Sequence, residues 1–253
     1  MYSYTKDFYK ELQEGSKRSA KVIVPLVIEL IRPASVVDVG CGLGTWLSVF
    51  KEHGIIDILG IDGDFIDKEM LEISKGQFLA VDLQKPFNVN KKFDLVISLE
   101  VAEHLPVTSA EIFIDSLVKL GPVVLFSAAF PFQGGTHHIN EQWPDYWTER
   151  FLERGYKVLD VIREKIWQNE NVDWWYTQNT LMFVEQDYLK NHPILERESF
   201  RKSPSQLSIV HPKMYLHMVE KYENLVKKNS ERMSPKDIIW ALITNIFKKV
   251  FFI

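Results

Sequence analysis

The chain carries a single cysteine, Cys41, in 253 residues, so it forms neither a disulfide framework nor a cysteine-built zinc site. Cys41 reads instead as a small buried residue. A basic excess is also missing. The formal net charge is −4, whereas general nucleic-acid binding needs basic patches that neutralise phosphates. The opening Met1-Tyr2-Ser3-Tyr4-Thr5-Lys6-Asp7 has no apolar stretch of the kind a secretory leader needs, and a cytoplasmic protein is expected. Internal repeats and low-complexity tracts are lacking. What is present, 46% hydrophobic residues, is enough for one sizeable core with an appended subdomain. Charge is uneven along the chain. Residues 201–253 hold ten Lys and Arg against four Asp and Glu, so the excess of acid lies in residues 1–200.

The sequence is organised around Ser35-Val36-Val37-Asp38-Val39-Gly40-Cys41-Gly42-Leu43-Gly44-Thr45-Trp46-Leu47. Val36 to Val39 has the continuous apolar character of a buried parallel strand. Three glycines at alternate positions then allow a tight turn with no Cβ in a ligand's way, and a helix follows with free N–H groups at its start. The spacing is G-x-G-x-G, not the G-x-G-x-x-G of dinucleotide sites, and no Gly-Lys-Ser/Thr follows to hold phosphates.

Strands and helices alternate from there. Strands are expected over residues 55–61, 77–83, 93–99, 122–127, 156–162 and 180–185, with helices over 5–31, 109–120 and 147–154. In the first helix, Gly15-Ser16 reads as a break, and Arg32-Pro33 as the end. The pattern predicts an α/β fold with a doubly wound parallel sheet. Ligands of such sheets lie outside the carboxyl ends of the strands. Gly40 to Gly44, Asp62, Asp82 and Glu100 all fall at those ends. Asp62, about 20 residues beyond the glycines, is placed to accept from ribose hydroxyls, with Gly63 and Asp64 beside it. Asp64 is equally suited to N-cap a following helix, and Asp82 to serve as a turn residue before Lys85-Pro86.

Asp38-Val39-Gly40-Cys41-Gly42-Leu43-Gly44 closely resembles the first motif of class I S-adenosylmethionine-dependent methyltransferases. That resemblance implies a Rossmann-like methyltransferase domain with a doubly wound, mostly parallel seven-stranded sheet over residues 33–186, behind an N-terminal helical cap (1–32) and ahead of a C-terminal helical extension (187–253). It implies S-adenosylmethionine as cofactor, with Asp38, Gly40, Gly42, Gly44, Thr45, Asp62, Gly63, Asp64, Asp82, Leu83 and Leu99 as its contacts. In the families resembled, the acid at Asp82 accepts from the adenine amino group. The stretch from Phe132 through Trp147 resembles methyltransferases associated with bacterial surface-polysaccharide and glycan modification.

Transfer to oxygen requires something to take the hydroxyl proton, and His137 and His138 are the base candidates. Glu100, Glu103 and His104 stand at i, i+3 and i+4, which places them on one face of a helix. Two carboxylates and an imidazole suit Mg²⁺ or Mn²⁺. Glu-x-x-Glu-His resembles the arrangement in metal-dependent small-RNA 2′-O-methyltransferases and ubiquinone-pathway O-methyltransferases, where a downstream histidine, here His137 or His138, is a further ligand. The other reading is metal-free, with Glu103 and His104 orienting each other. Trp143, Trp147, Trp167, Trp174, Trp175 and Tyr176 gather where the acceptor site is expected and suit a sugar stacking on ring faces, although most of them should be core.

The tail has Ser234-Pro235-Lys236-Asp237 as a helix start, followed by an apolar run through Val250 that Thr244, Asn245, Lys248 and Lys249 interrupt, so it is not expected to span a bilayer. This segment suits peripheral contact with an anionic membrane, a homodimer, or packing on its own domain. The leading expectation is a methyltransferase acting on an oxygen of a small-molecule or glycan acceptor, without general nucleic-acid binding. The alternatives are an RNA 2′-O-methyltransferase and a non-catalytic cofactor-binding interaction subunit.

Overall fold

The computed structural model describes residues 6–198 and 206–232. The segment beginning at Ser234, and with it the expected C-terminal helix, lies outside the described residues. In chain order the elements are α1 (Lys6–Ile31), β1 (Ser35–Val39), α2 (Thr45–Glu52), β2 (Asp57–Asp62), β3 (Phe78–Ala80), β4 (Leu95–Leu99), α3 (Ala110–Leu120), β5 (Val123–Ser127), α4 (Pro144–Glu153), β6 (Tyr156–Leu159), α5 (Arg163–Ile166), α6 (Trp174–Asn179), β7 (Leu181–Glu185), α7 (Gln186–Lys190), α8 (Pro193–Glu198) and α9 (Pro212–Arg232). The chain divides into two compact units, Met1–His211 and Pro212–Ile253. The first therefore continues past residue 187 through α7 and α8. In the second, the described part is the helix α9. No helix among the described residues is long and apolar enough to cross a membrane.

The seven strands form one sheet in the order β3-β2-β1-β4-β5-β7-β6, the Rossmann-like arrangement of class I methyltransferases. All pairings are parallel except those made by β7, which runs antiparallel to both β5 and β6. Because successive side chains of a strand point to opposite faces, Val36 joins one core and Val37 and Val39 the other. On the first face α1 contributes Ala20, Ile23, Val24 and Val27, and α2 contributes Leu47 and Phe50. On the second, α3 contributes Phe113, Ile114 and Leu117, and α4 contributes Phe151, stacked on Phe183 at 3.9 Å. Helices on both faces explain why the central strands are apolar throughout.

Register brings the strand ends together. Val39 pairs with Ile61 and Leu99 with Ser127, so the turn after β1, the end of β2 and the residue after β4 share one edge. Cys41 is buried and free. Burial first, and the charges of Asp38 and Asp62 next, push its thiol far up, so it stays protonated.

Three expectations are corrected. The strand expected to close on Asp82 ends at Ala80, leaving Asp82 in a turn. No helix follows Asp64; after a run of turns, a 3₁₀ turn begins only at Lys75, so Asp64 caps nothing. Finally, α1 runs unbroken through Gly15, Ser16 and even Pro25. The stretch around Gly15 is pinned from outside: Ser16 Oγ meets Tyr176 Oη at 3.2 Å, Arg18 pairs with Asp173 at 2.6 Å, and Ser19 Oγ accepts the Asp173 N–H at 3.0 Å.

The other side of α1 is held by Glu72. Its carboxylate accepts from Gln13 Nε2 (2.7 Å), Lys17 Nζ (2.6 Å), Thr45 Oγ1 (2.7 Å) and Ser48 Oγ (3.1 Å), tying α1 to the start of α2. Burial opposes ionisation of Glu72, but these donors outweigh it and its pKa is lowered. Hydrogen bonds to a charged group each contribute about 1.5–3 kcal/mol. These losses do not add in one network; at about 1.5–3 kcal/mol for the group and roughly 2–4 °C per kcal/mol for a chain of this length, Glu72→Ala should lower the melting temperature by roughly 3–12 °C. Since the folded pKa is depressed, this stabilisation is full above the unfolded value and is lost as pH falls through the folded one. The gap between wild type and variant should close below about pH 4, and thermal denaturation across pH checks both.

Candidate active site

A cavity of about 850 Å³ opens at the carboxyl ends of β2, β1 and β4, lined among others by Gly40, Gly42, Asp62, Gly63, Asp82 and Glu100. Gly40, Gly42 and Gly44 all have positive φ (82°, 53° and 80°), the left-handed region glycine adopts without strain. A Cβ at Gly42 would meet no protein atom within 4 Å, which leaves a ligand room against the backbone.

Asp62 fastens this turn. Its Oδ2 accepts the Gly42 N–H at 2.7 Å and its Oδ1 the Gly63 N–H at 2.6 Å. Burial raises its pKa, and the two amides oppose that. Asp38 is buried beneath, and burial together with the Asp62 charge lifts its carboxyl well above the ordinary range. Asp64, Leu83 and the exposed Phe65 also line the cavity.

Other expected contacts stand back from it. Thr45 is buried and spends its hydroxyl on Glu72. Leu99 is buried at the end of β4, and Gly44 faces Ile73. Asp82 lines the cavity, yet its carboxylate also accepts the Gln84 N–H at 3.0 Å and pairs with Lys85 at 3.0 Å. That pairing holds its pKa down and is the behaviour of a turn residue.

The expected helical face of Glu100, Glu103 and His104 is not formed. Glu100 has φ 55°, outside the helical region, and only Ala102–His104 make a single 3₁₀ turn. Glu100 is thereby left out of the cluster that the other two join, although its carboxyl stays close enough to Glu103 to act on it. Its N–H donates to Ser127 Oγ and to the Ser127 carbonyl, both at 3.0 Å. Its carboxylate accepts from Asn179 Nδ2 at 3.0 and 3.2 Å and from Gln133 Nε2 at 3.1 Å. Gln133 Oε1 in turn accepts from Asn179 Nδ2 at 3.0 Å. Burial raises the Glu100 pKa and these amides oppose it.

His138 takes the place beside Glu103 and His104 instead. Among the described residues, these three bring donor atoms within 4.8 Å of one another. The His104 and His138 rings meet edge to face at 4.9 Å. Glu103 is fully buried, and neither of its carboxylate oxygens has a well-formed hydrogen bond, although the Glu103 and Ala129 amides and the Glu100 carboxyl lie close by. Burial, and then the Glu100 charge, push its pKa well up. Burial also lowers that of His104, which keeps this imidazole neutral, the form that ligates a metal.

His138 is oriented by Glu141, whose Oε1 lies 2.9 Å from its Nδ1. The same carboxylate accepts the Phe132 and Gly134 N–H groups, each at 2.7 Å, and so shapes the loop. The Ile139 and Asn140 N–H groups donate to the Glu103 carbonyl at 2.9 and 3.0 Å, docking that loop on the 3₁₀ turn. His137, by contrast, is exposed with φ 61°; its main chain hydrogen-bonds His104, and its charge acts on that ring as well.

The aromatic cluster disperses. Trp147 is core, packed on Phe126 at 5.4 Å, and Tyr176 is buried against Trp46 at 5.2 Å. Trp174 and Trp175 are half-buried, edge to face at 5.7 Å. Trp143 is 43% exposed on the loop beside Phe130, and Trp167 is half-buried on the segment after β6.

The family model described as a methyltransferase domain matches residues 12–151, more than half of the chain, and the chain belongs to that family of S-adenosylmethionine-dependent methyltransferases. Among solved structures, it is similar to an O-methyltransferase family protein from Burkholderia thailandensis (15% identity, 70% of this chain and 59% of that one, TM-score 0.50). A protein of Nostoc punctiforme PCC 73102, provisionally described as an O-methyltransferase, matches at 14% identity, 70% and 59% coverage and TM-score 0.51. Streptomyces venezuelae DesVI matches at 21% identity, 53% and 62% coverage and TM-score 0.42. The match thus spans about three-fifths of the length of these structures, and the likeness is one of fold. No curated protein matches the sequence.

Gly135 is the residue that lets His138 into the cluster, because a Cβ there would lie 2.2 Å from His138 Nε2. Gly135→Ala should turn the imidazole away from Glu141 while leaving the sheet intact. The check is the His138 ring in ¹⁵N–¹H correlation spectra, which should lose its hydrogen-bonded Nδ1 signature without a fall in melting temperature of more than about 2 °C.

Proposed function

We propose that the chain transfers the methyl group of S-adenosylmethionine to a hydroxyl oxygen of a sugar-containing acceptor. Bound S-adenosylmethionine supplies an electrophilic methyl on a sulfonium. The cavity suits that cofactor: the glycine turn offers bare backbone, Asp62 keeps lone pairs for ribose hydroxyls beyond the two amides it accepts, and no phosphate cradle is present. The observation that carries the oxygen assignment is the pair His104 and His138 at the end of this cavity, which His104 lines. A hydroxyl must lose its proton as it is methylated, and an imidazole titrates near working pH.

His138 is the base in this reading. Glu141 at its Nδ1 fixes the tautomer and leaves Nε2 to accept the proton, the division of labour seen in carboxylate–histidine pairs. His137, exposed on the same loop, is not required. A sugar acceptor is supported by the exposed apolar side chains of this loop, Phe132, Ile139 and Trp143, which offer faces for ring stacking.

A second reading rests on Glu103. A buried carboxylate with no well-formed hydrogen bond to either oxygen is costly, and a divalent cation would satisfy it. Glu103, His104 and His138 would then hold Mg²⁺ or Mn²⁺. Such an ion lowers the pKa of a coordinated hydroxyl.

Tritium transfer from methyl-labelled S-adenosylmethionine to a saccharide library tests the reading. His138→Ala should cut turnover by about 10²–10⁴-fold, and His137→Ala should leave it within about threefold. Equal losses in the two variants would contradict the assignment. Mn²⁺ paramagnetic resonance decides on the cation: a bound signal lost in Glu103→Gln supports it, and free aqueous Mn²⁺ in the wild type excludes it.

A further inference from the structure

A second cavity, of about 790 Å³, opens after β6. Since β7 runs antiparallel to both its neighbours, β6 is parallel to β5, and this cavity lies along the same edge of the sheet as the first. Its floor carries the buried pair Arg163–Asp160 at 2.7 Å. Arg163 Nη1 is engaged by the Gln178 and Leu207 carbonyls at 3.0 and 2.8 Å, so the floor is braced and the guanidinium is not presented to a ligand. The rim is formed by Glu164, Lys165, Trp167, Gln168, Asn169 and Glu170. One indole, two carboxamides and a slight excess of acid suit an uncharged, hydroxyl-rich ligand, and that excess disfavours a phosphate backbone.

This rim is connected to the first cavity. The Trp167 ring packs on His211 at 4.8 Å, and His211 Nε2 reaches the Trp167 carbonyl at 3.2 Å. The His211 N–H donates to Gln178 Oε1 at 2.9 Å, and Gln178 Nε2 donates to Asn179 Oδ1 at 3.0 Å. Asn179 holds Glu100, which lines the first cavity. Three strand spacings separate β4 from β6 in the sheet, about 14 Å. The loop carrying His138 leaves β5, which lies between them.

We propose that the second cavity is an acceptor subsite that binds the distal part of an uncharged chain of linked sugars, while another ring of that chain meets His138. This inference rests on the methyltransferase reading above. The separation selects for an extended oligosaccharide over a monosaccharide.

The test has two arms on the same purified full chain. Calorimetry with S-adenosylhomocysteine is run first; failure of the wild type to bind would overturn the methyltransferase reading itself. The protein loaded with S-adenosylhomocysteine is then applied to an array of bacterial surface saccharides, from monosaccharides to oligomers. Oligomers should bind at least about tenfold more tightly than their component monosaccharides. Trp167→Ala should weaken them about tenfold, Trp167→Phe and Gln168→Ala less so, all with unchanged affinity for S-adenosylhomocysteine. The proposal is overturned by oligomer binding that Trp167→Ala leaves intact, by monosaccharides binding as tightly as oligomers, or by a loaded protein that binds no saccharide.

Discussion

A buried carboxyl group needs hydrogen-bond partners to replace the water it has lost, and Glu100 is the place where this protein meets that demand. Burial pushes its pKa up, and Asn179, Gln133 and Ser127 push back. Those partners come from three separate stretches: the end of β5, the loop after it and the end of α6. The left-handed backbone at Glu100 is the conformational cost of turning the side chain toward them, of order 1–3 kcal/mol. Hydrogen bonds to a charge are about twice as strong as neutral ones, so the network can sustain it. One side chain thereby fastens the end of β4 to the end of β5, the loop after it and the end of α6.

Asp62 meets a related constraint on the other side of the cavity. It braces the glycine turn through Gly42 and Gly63, and a carboxylate oxygen can accept more than one hydrogen bond. Bracing the turn and receiving ribose hydroxyls are compatible tasks. Glu103 is less well served, since neither of its carboxylate oxygens has a well-formed hydrogen bond. Unsatisfied buried groups gather at functional sites because function supplies what the fold withholds.

Much of this was legible in the sequence. Alternating apolar strands and helices implied the sheet, and the acids closing those strands marked its working edge. Strand ends were less so: β3 stops at Ala80, and Asp82 follows it in a turn. The Glu100–Glu103–His104 spacing misled because i, i+3, i+4 implies a shared face only on a continuous helix, and the backbone leaves the helical region at Glu100. Gln133, Gln178 and Asn179 gave no local signal, because a carboxamide's partner 79 residues away, as for Asn179 and Glu100, follows no period. The tryptophans read alike in sequence, yet Trp147 went to the core and Trp167 to a cavity rim, a division made by tertiary packing alone.

The account stands on the cavity at the ends of β1, β2 and β4 holding a ribose-bearing cofactor through Asp62. Calorimetric titration of S-adenosylhomocysteine into wild type and Asp62→Ala tests this most directly. The account predicts one site, with affinity about 10–100-fold weaker in the variant, the loss of hydrogen bonds to a charged acceptor. No binding by the wild type, or equal affinity in both proteins, would contradict it.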